Sequence, residues 1–355
     1  MYRRIFEAFQ LSSMLQFYDP FRQQKEEALV GSMDSIRVLA DFVKKNTHKD
    51  AALETLQPFV KGLVEVSLWG NQCDLSISGG DPVAVPTAAL SDEAQLNNAR
   101  SNLLCDHFRQ LWGKLCQCRQ KTIKPDITTV EGNPEKSKPA SLHIVLDNAG
   151  YEFVSDLALL DYLQEAGFVG HVTLHVKAMP WFVSDITLRD LATTIRHLQA
   201  SDHDATAHLA ARCRKRLDEG IWTVEDDIFW TTPHPYYKMK HVRPDLHASL
   251  ARADLIILKG DLNYRKLVGD RAWNPTTPFE TALQGFFLWE TEPGIQLLHL
   301  KLRFRVFFPS SLCALRTVKA DTIAGLDEGI AELAAAKASD WMTTGQFALL
   351  QCAVR

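Results

Sequence analysis

His143-Ile144-Val145-Leu146-Asp147-Asn148-Ala149-Gly150-Tyr151-Glu152 is the stretch that sets the fold. A short apolar run stops at an acid and an amide. Gly150 then admits the sharp turn that other residues resist. Beyond it Phe153, Leu157, Leu160 and Leu163 recur at three- and four-residue steps. A strand-length run, a polar turn and a helical pattern make one repeating unit of an α/β sheet. The rhythm returns in Val172-Thr173-Leu174-His175-Val176, followed by a polar-then-helical stretch from Asp185. It returns again in Leu255-Ile256-Ile257-Leu258, ending at Lys259-Gly260-Asp261, and near Leu312–Leu315, ending at Arg316-Thr317-Val318-Lys319. The alternation predicts an α/β domain, 141–355, with a mostly parallel sheet covered by helices.

Upstream, residues 1–120 read as a helical lobe. Apolar residues recur with helical spacing in Ile36, Leu39, Phe42 and Val43, and in Leu103, Leu104, Phe108, Leu111 and Leu115. Residues 121–140, with four lysines and three prolines, read as a linker or surface loop.

Composition narrows the function classes. Of 355 residues, 46% are hydrophobic and 23% charged, as in ordinary globular chains. The net charge of −4 with no basic block gives no reason to expect nucleic acid, whereas a local cationic pocket would take a small phosphorylated molecule whatever the total. Seven cysteines with no C-x-x-C pair argue against a disulfide framework and a thiolate zinc site, and fit a reducing compartment. The start, Met-Tyr-Arg-Arg-Ile-Phe-Glu, does not read as a signal peptide, and no run reads as a membrane span, so the expected address is the cytoplasm. There is no G-x-S-x-G elbow, no G-x-x-x-x-G-K-[ST] loop and no G-x-G-x-x-G turn. His171 and His175 share a strand face, which is not the helical zinc spacing and suggests a structural role; Cys116-Gln-Cys118 reads as incidental.

The chemistry-bearing groups follow the sheet-type runs. Asp147-Asn148 follows the first, Asp185 the second, Asp261 the third and Arg316 with Lys319 the fourth. Carboxyl ends of parallel strands share one rim, where ligands bind, so the four clusters are expected to converge. Carboxylate and amide oxygens are hard ligands suited to Mg²⁺ or Mn²⁺. Taken singly, each has a plainer reading as a helix cap, a turn or a solvated surface.

At these residues the sequence resembles a known family. Asp147 to Glu152, Pro180-Trp181-Phe182-Val183-Ser184-Asp185 and Lys259 to Leu267 are similar to motifs of the DUF89 damage-control phosphatases. Arg316-Thr317-Val318-Lys319 resembles the R-T-x-K signature of its third subfamily, which includes acidic-residue-methyltransferase-like proteins and fungal sugar-phosphate phosphatases. Leu68-Trp69-Gly70-Asn71-Gln72-Cys73-Asp74-Leu75-Ser76 resembles a segment of its helical lobe. The resemblance implies a three-layer α/β/α domain with an N-terminal all-helical lobe. It implies a divalent metal, Mn²⁺ above all, with Co²⁺, Ni²⁺ or Mg²⁺ as alternatives, held by Asp147, Asn148 and Asp185. It implies substrate contacts at Asp261, Leu262, Asn263, Tyr264, Arg265 and Lys319, with Arg316 beside them, and links Glu152 to S-adenosylmethionine in a proposed methyltransferase relative. Asp147, Asp185 and Asp261 are the expected catalytic residues. The implied activity is metal-dependent hydrolysis of sugar phosphates such as fructose 1-phosphate, with cleavage of fructose 6-phosphate to dihydroxyacetone and glyceraldehyde 3-phosphate also associated with the subfamily. Attack by water and attack by a carboxylate both remain open. Carboxyl methylation of protein acidic residues, or an inactive binding module, are the competing readings. Two departures from the family pattern are expected: a start at what looks like an internal helix, and an insertion at 287–307.

Overall fold

The computed structural model describes residues 1–47, 51–70, 99–124, 138–283 and 308–355, together with the backbone of 127–130 and 133–136. The proposed insertion, 287–307, lies outside the described residues, as does Asn71 to Ser76 of the helical-lobe motif.

Four helices open the chain: α1 (Tyr2–Gln10), α2 (Arg22–Gly31), α3 (Met33–Asn46) and α4 (Leu53–Trp69). Strand β1 (Leu103–Asp106), helix α5 (Phe108–Ile123) and an antiparallel pair, β2 (Ile127–Val130) with β3 (Asn133–Lys136), follow. The α/β units then begin: β4 (Ser141–Val145), α6 (Tyr151–Glu165), β5 (His171–His175), α7 (Leu188–Gln199), α8 (Asp204–Asp218) and β6 (Trp222–Glu225). After two 3-10 turns come α9 (Met239–Val242), α10 (Pro244–Leu250), β7 (Leu255–Lys259), α11 (Asp261–Leu267), α12 (Phe279–Ala282), β8 (Leu312–Thr317), α13 (Ile330–Lys337) and β9 (Ala348–Ala353).

Seven strands form one sheet in the order β1-β9-β8-β7-β4-β5-β6. All neighbours run parallel except β8 and β9. The chain is therefore an α/β protein with a mostly parallel sheet. Its inner strands are buried on both faces, as helix-covered parallel strands are. Side chains alternate as the strand period requires. Leu142 and Ile144 enter a core with α3, α4, α6, α7 and α8, whereas Val145, Ile256 and Leu258 enter a second core with the Phe229–Trp230 turn, α10, α11 and α12. Helices, sheet and helices make three layers.

Two stretches differ from the expected reading. Leu103-Leu104-Cys105 is strand, and helix begins only at Phe108. Adjacent apolar residues satisfy either period, and β9 offers an open backbone edge that β1 occupies in parallel register. Within 121–140, α5 continues to Ile123 and the β2–β3 pair follows, where a linker or loop is expected. No helix among the described residues is long and apolar enough to cross a membrane.

Candidate metal and phosphate site at the sheet rim

The chain adds β5 and β6 on one side of β4, then returns to place β7 and β8 on the other. The carboxyl ends of β4 and β7 consequently flank a topological switch point, where α/β sheets form their ligand crevice. Asp147 lies just beyond β4, and Gly260-Asp261 just beyond β7. Gly260 has φ +84° and ψ 173°, a combination open essentially to glycine alone. A Cβ built there would stand 1.8 Å from Asp147 Oδ2, so the missing side chain is what seats this carboxylate in the crevice.

The loop after β5 folds back onto the loop after β4. Asn148 and Asp185 form an antiparallel bridge; Ala149 N–H donates to Ser184 O at 2.8 Å and Ile186 N–H to Asp147 O at 2.8 Å. The Asn148 amide donates to Asp147 Oδ2 at 3.2 Å and to Glu152 Oε2 at 2.8 Å, and its Oδ1 accepts from Ser184 Oγ at 2.8 Å. Asp147, Asn148 and Asp185 are therefore neighbours, each almost fully buried. Among the described residues no three His, Cys, Asp or Glu side chains cluster as a metal site; this trio reaches three oxygen-bearing groups only through the Asn148 amide. Its all-oxygen chemistry suits a hard divalent cation.

Backbone strain marks the same loop. Phe182 and Val183 have φ of +40° and +66°, the latter a true outlier for a β-branched residue. Such strain persists only where surroundings over-determine it. Here Tyr2 of α1 packs its ring on Trp181 and Phe182. Lys25 of α2 donates to Asp185 O at 3.3 Å, and its ammonium pairs with Asp19 at 2.8 Å and Asp190 at 2.6 Å.

The remaining expected residues divide. Asp261 Oδ1 accepts from Arg316 Nε at 2.7 Å and from Lys319 N–H at 3.1 Å. Arg316 is fully buried, also donates to Thr322 O and Ala320 O, and lies 4.3 Å above the Tyr264 ring, so it fixes the turn after β8. Tyr264 is buried, with its hydroxyl donating to Ala324 O and its pKa pushed by burial to about 12. Asn263 ties the ends of β7 and β4 together, donating to Lys259 O at 2.7 Å and Leu146 O at 3.4 Å. Arg265 makes two bonds to Asp270, at 2.8 and 2.9 Å. Leu262 and Lys319 are half-buried. Glu152, only 1% exposed, faces Asn148 and Lys259.

Several groups at the rim escaped the sequence reading. Lys177 pairs with Asp185 Oδ2 at 3.1 Å and donates to Leu146 O at 2.8 Å; it follows the β5 run as Asp147 follows β4, which is a usable signal. Lys259 closes an otherwise apolar strand, and burial, which would lower its pKa, is outweighed by Asp156 and Glu152, so the shift is upward. Tyr236 donates to Asn263 Oδ1, and burial, then Asp147 and Asp185, raises its pKa well above the ordinary phenol value. Lys266 donates to Phe229 O and Trp230 O, and burial, then Lys177, lowers its pKa to about 7. No sequence spacing pointed to these last two. Of His171 and His175, which share a strand face, His171 is exposed and His175 meets His143 of β4 at 3.0 Å.

The family model of the damage-control phosphatase ARMT1-like domain matches residues 1–333. The chain belongs to the ARMT1-like family of damage-control phosphatases. It is 35% identical to the human damage-control phosphatase ARMT1 over 353 residues, covering 99% of this chain and 72% of that protein. The Danio rerio protein of the same name is 35% identical over 354 residues (99% and 71%), and the Xenopus laevis protein 36% over 355 residues (99% and 72%). A crystal structure of a DUF89 family protein from Pyrococcus horikoshii shares 18% identity and a TM-score of 0.40, over 74% of this ARMT1-like chain and 67% of that one.

Proposed function

We propose that the protein is a divalent-metal-dependent phosphatase of small sugar phosphates, with fructose 1-phosphate as the type of substrate, acting in metabolite damage control. The observation that carries this reading is the Asn148–Asp185 bridge, which draws the loops after β4 and β5 around the Asp147 carboxylate at the switch point. Family membership supports the phosphatase chemistry. Asp147, Asn148 and Asp185 would hold the cation, Mn²⁺ by preference with Co²⁺, Ni²⁺ or Mg²⁺ as substitutes. Bound there, it supplies charge neutralisation for the phosphoryl group and a lowered pKa for water.

Phosphoryl transfer depends on positioning and on stabilising spread-out negative charge. Lys319, whose backbone N–H donates to Asp261 Oδ1 at 3.1 Å, would counter charge on the phosphoryl oxygens with its ammonium. Asp261 receives donors from Arg316 and Lys319 on Oδ1, and its carboxylate would accept from a sugar hydroxyl. Arg316 holds Asp261 and the turn bearing Lys319 in register. Glu152, which a methyl-transfer reading would need at the ligand, is turned inward to Asn148 and Lys259.

The test is a screen of sugar phosphates for phosphate release with and without Mn²⁺ or Co²⁺, run beside Asp147→Ala and Asp185→Ala. Release that needs the metal and disappears in both variants, with metal content also reduced in Asp185→Ala, is expected. Equal release and metal content in Asp185→Ala would overturn its role, and methyl transfer to a protein without phosphate release would overturn the reading.

A further inference from the structure

An amide presents an oxygen acceptor at one end and an NH₂ donor at the other, nearly equal in size, and only the oxygen can ligate a cation. The protein must therefore choose which end of Asn148 points where. Ser184 does not choose, because a hydroxyl both donates and accepts. Two carboxylates do, because each accepts only: Glu152 Oε2 lies 2.8 Å and Asp147 Oδ2 3.2 Å from Asn148 Nδ2, so Glu152 makes the shorter bond. Turning the amide over would set its oxygen against them.

Glu152 is itself held from below. Lys259 Nζ lies 3.3 Å from Glu152 Oε1, 2.8 Å from Asp156 Oδ1 and 2.8 Å from Ser67 Oγ, and it donates to Ser67 O. Ser67 Oγ donates to Asp156 Oδ1 at 2.6 Å. Three elements meet at this fully buried ammonium: β7 through Lys259, α6 through Glu152 and Asp156, and α4 through its last turn. Glu152 and Asp156 stand one helical turn apart and both are buried, so without Lys259 two carboxylates would share a desolvated pocket. The end of α4 also closes on this turn: a Cβ at Gly70 would come within 3.2 Å of Glu152 Cα and 3.0 Å of Ser155 Oγ. The helical lobe thus sets the position of Glu152, and Glu152 sets the amide.

We propose that Lys259 and Glu152 are positioning residues which, through the Glu152–Asn148 hydrogen bond, turn the Asn148 amide oxygen toward the cation site. This rests on the metal set proposed above. Neither residue touches substrate.

The test exchanges donor for acceptor without changing shape. In Glu152→Gln the new amide can donate, and the Asn148 NH₂ keeps only its longer bond to Asp147 Oδ2 at 3.2 Å, so the amide is freer to turn over. Mn²⁺ affinity measured by calorimetry, independently of turnover, is expected to fall about 10–100-fold, the usual effect of removing a group that orients a metal ligand. Asn148→Asp in the Glu152→Gln background restores a unique arrangement, since the glutamine introduced at position 152 donates to one carboxylate oxygen and leaves the other for the metal. The double variant should bind Mn²⁺ at least about tenfold more tightly than Glu152→Gln, whereas Asn148→Asp alone, facing Glu152, gains nothing. Lys259→Met should weaken Mn²⁺ binding as Glu152→Gln does. Additive effects of Glu152→Gln and Asn148→Asp, or unchanged affinity in Glu152→Gln beside a parent that binds Mn²⁺, would overturn the inference and leave the metal set standing. A parent that binds no Mn²⁺ would overturn both.

Discussion

Gly260→Ala is the sharpest perturbation of the crevice. Two costs separate cleanly. The first is conformational: at φ +84° and ψ 173° an L-residue carries about 1–3 kcal/mol of strain. The second is steric. The new Cβ would stand 1.8 Å from Asp147 Oδ2, 2.2 Å from Cγ and 2.8 Å from Cβ, and real Cβ contacts essentially never fall under 3.0 Å. The Asp147 oxygen must retreat by the difference between 3.0 and 1.8 Å, about 1.2 Å. A shift near 1 Å at a reacting centre is of the size that costs about 100-fold in rate. The expected result is a Tm lowered by roughly 2–12 °C, taking about 1–3 kcal/mol at about 2–4 °C per kcal/mol. Phosphate release should fall about 100-fold with weakened Mn²⁺ binding. Gly220→Ala is the control: its φ is +69° with nothing within 4 Å of the added Cβ, so it reports backbone strain without the collision. Scanning fluorimetry gives Tm, calorimetry the Mn²⁺ affinity and phosphate release the rate. If Gly260→Ala loses only as much Tm as Gly220→Ala and keeps its metal affinity and rate, the seating of Asp147 by Gly260 is refuted.

Lys25→Met should destabilise the fold by about 3–5 kcal/mol, because it strands the buried Asp19 and Asp190 carboxylates, and should also loosen the Asp185 loop; chemical denaturation measures the first, and faster proteolysis between Pro180 and Asp185 the second. His143 has its pKa lowered by burial, and secondarily by Arg252, from 6.5 to about 4. Between those values the unfolded chain binds the proton and the folded one does not, so stability falls as pH drops from about 6.5 to about 4, by roughly 3 kcal/mol for this group. Urea midpoints at pH 7 and pH 5 should differ more in the parent than in His143→Gln, where buried His175, whose pKa burial also lowers, keeps part of the slope; a slope unchanged by the substitution would reject the assignment to His143.

Much of the architecture was legible because short apolar runs ending in polar turns have one common cause, a strand buried on both faces that must leave the sheet at its rim. That rule located β4, β5, β7 and β8 and the loops that follow them. It misplaced Leu103-Leu104-Cys105, whose adjacent apolar residues fit a helix as well as a strand until the β9 edge claims them. It named no partner for Arg265 or Arg316, since a basic residue beside a motif carries no sign of one; the structure pairs them with Asp270 and Asp261.

What the sequence determined by itself is the order of strand, turn and helix, and with it which residues stand at carboxyl ends. These are local consequences of hydrophobic period and of glycine at Gly150 and Gly260. Only the tertiary structure decided that β7 returns beside β4, that the loop after β5 bridges Asn148, and that Lys259 and Lys25 tie that rim to α4 and α2. Such contacts join groups far apart in the chain, 160 residues for Lys25 to Asp185 and 192 for Lys259 to Ser67, and what selects them is the burial of charge with a partner, which no local pattern encodes.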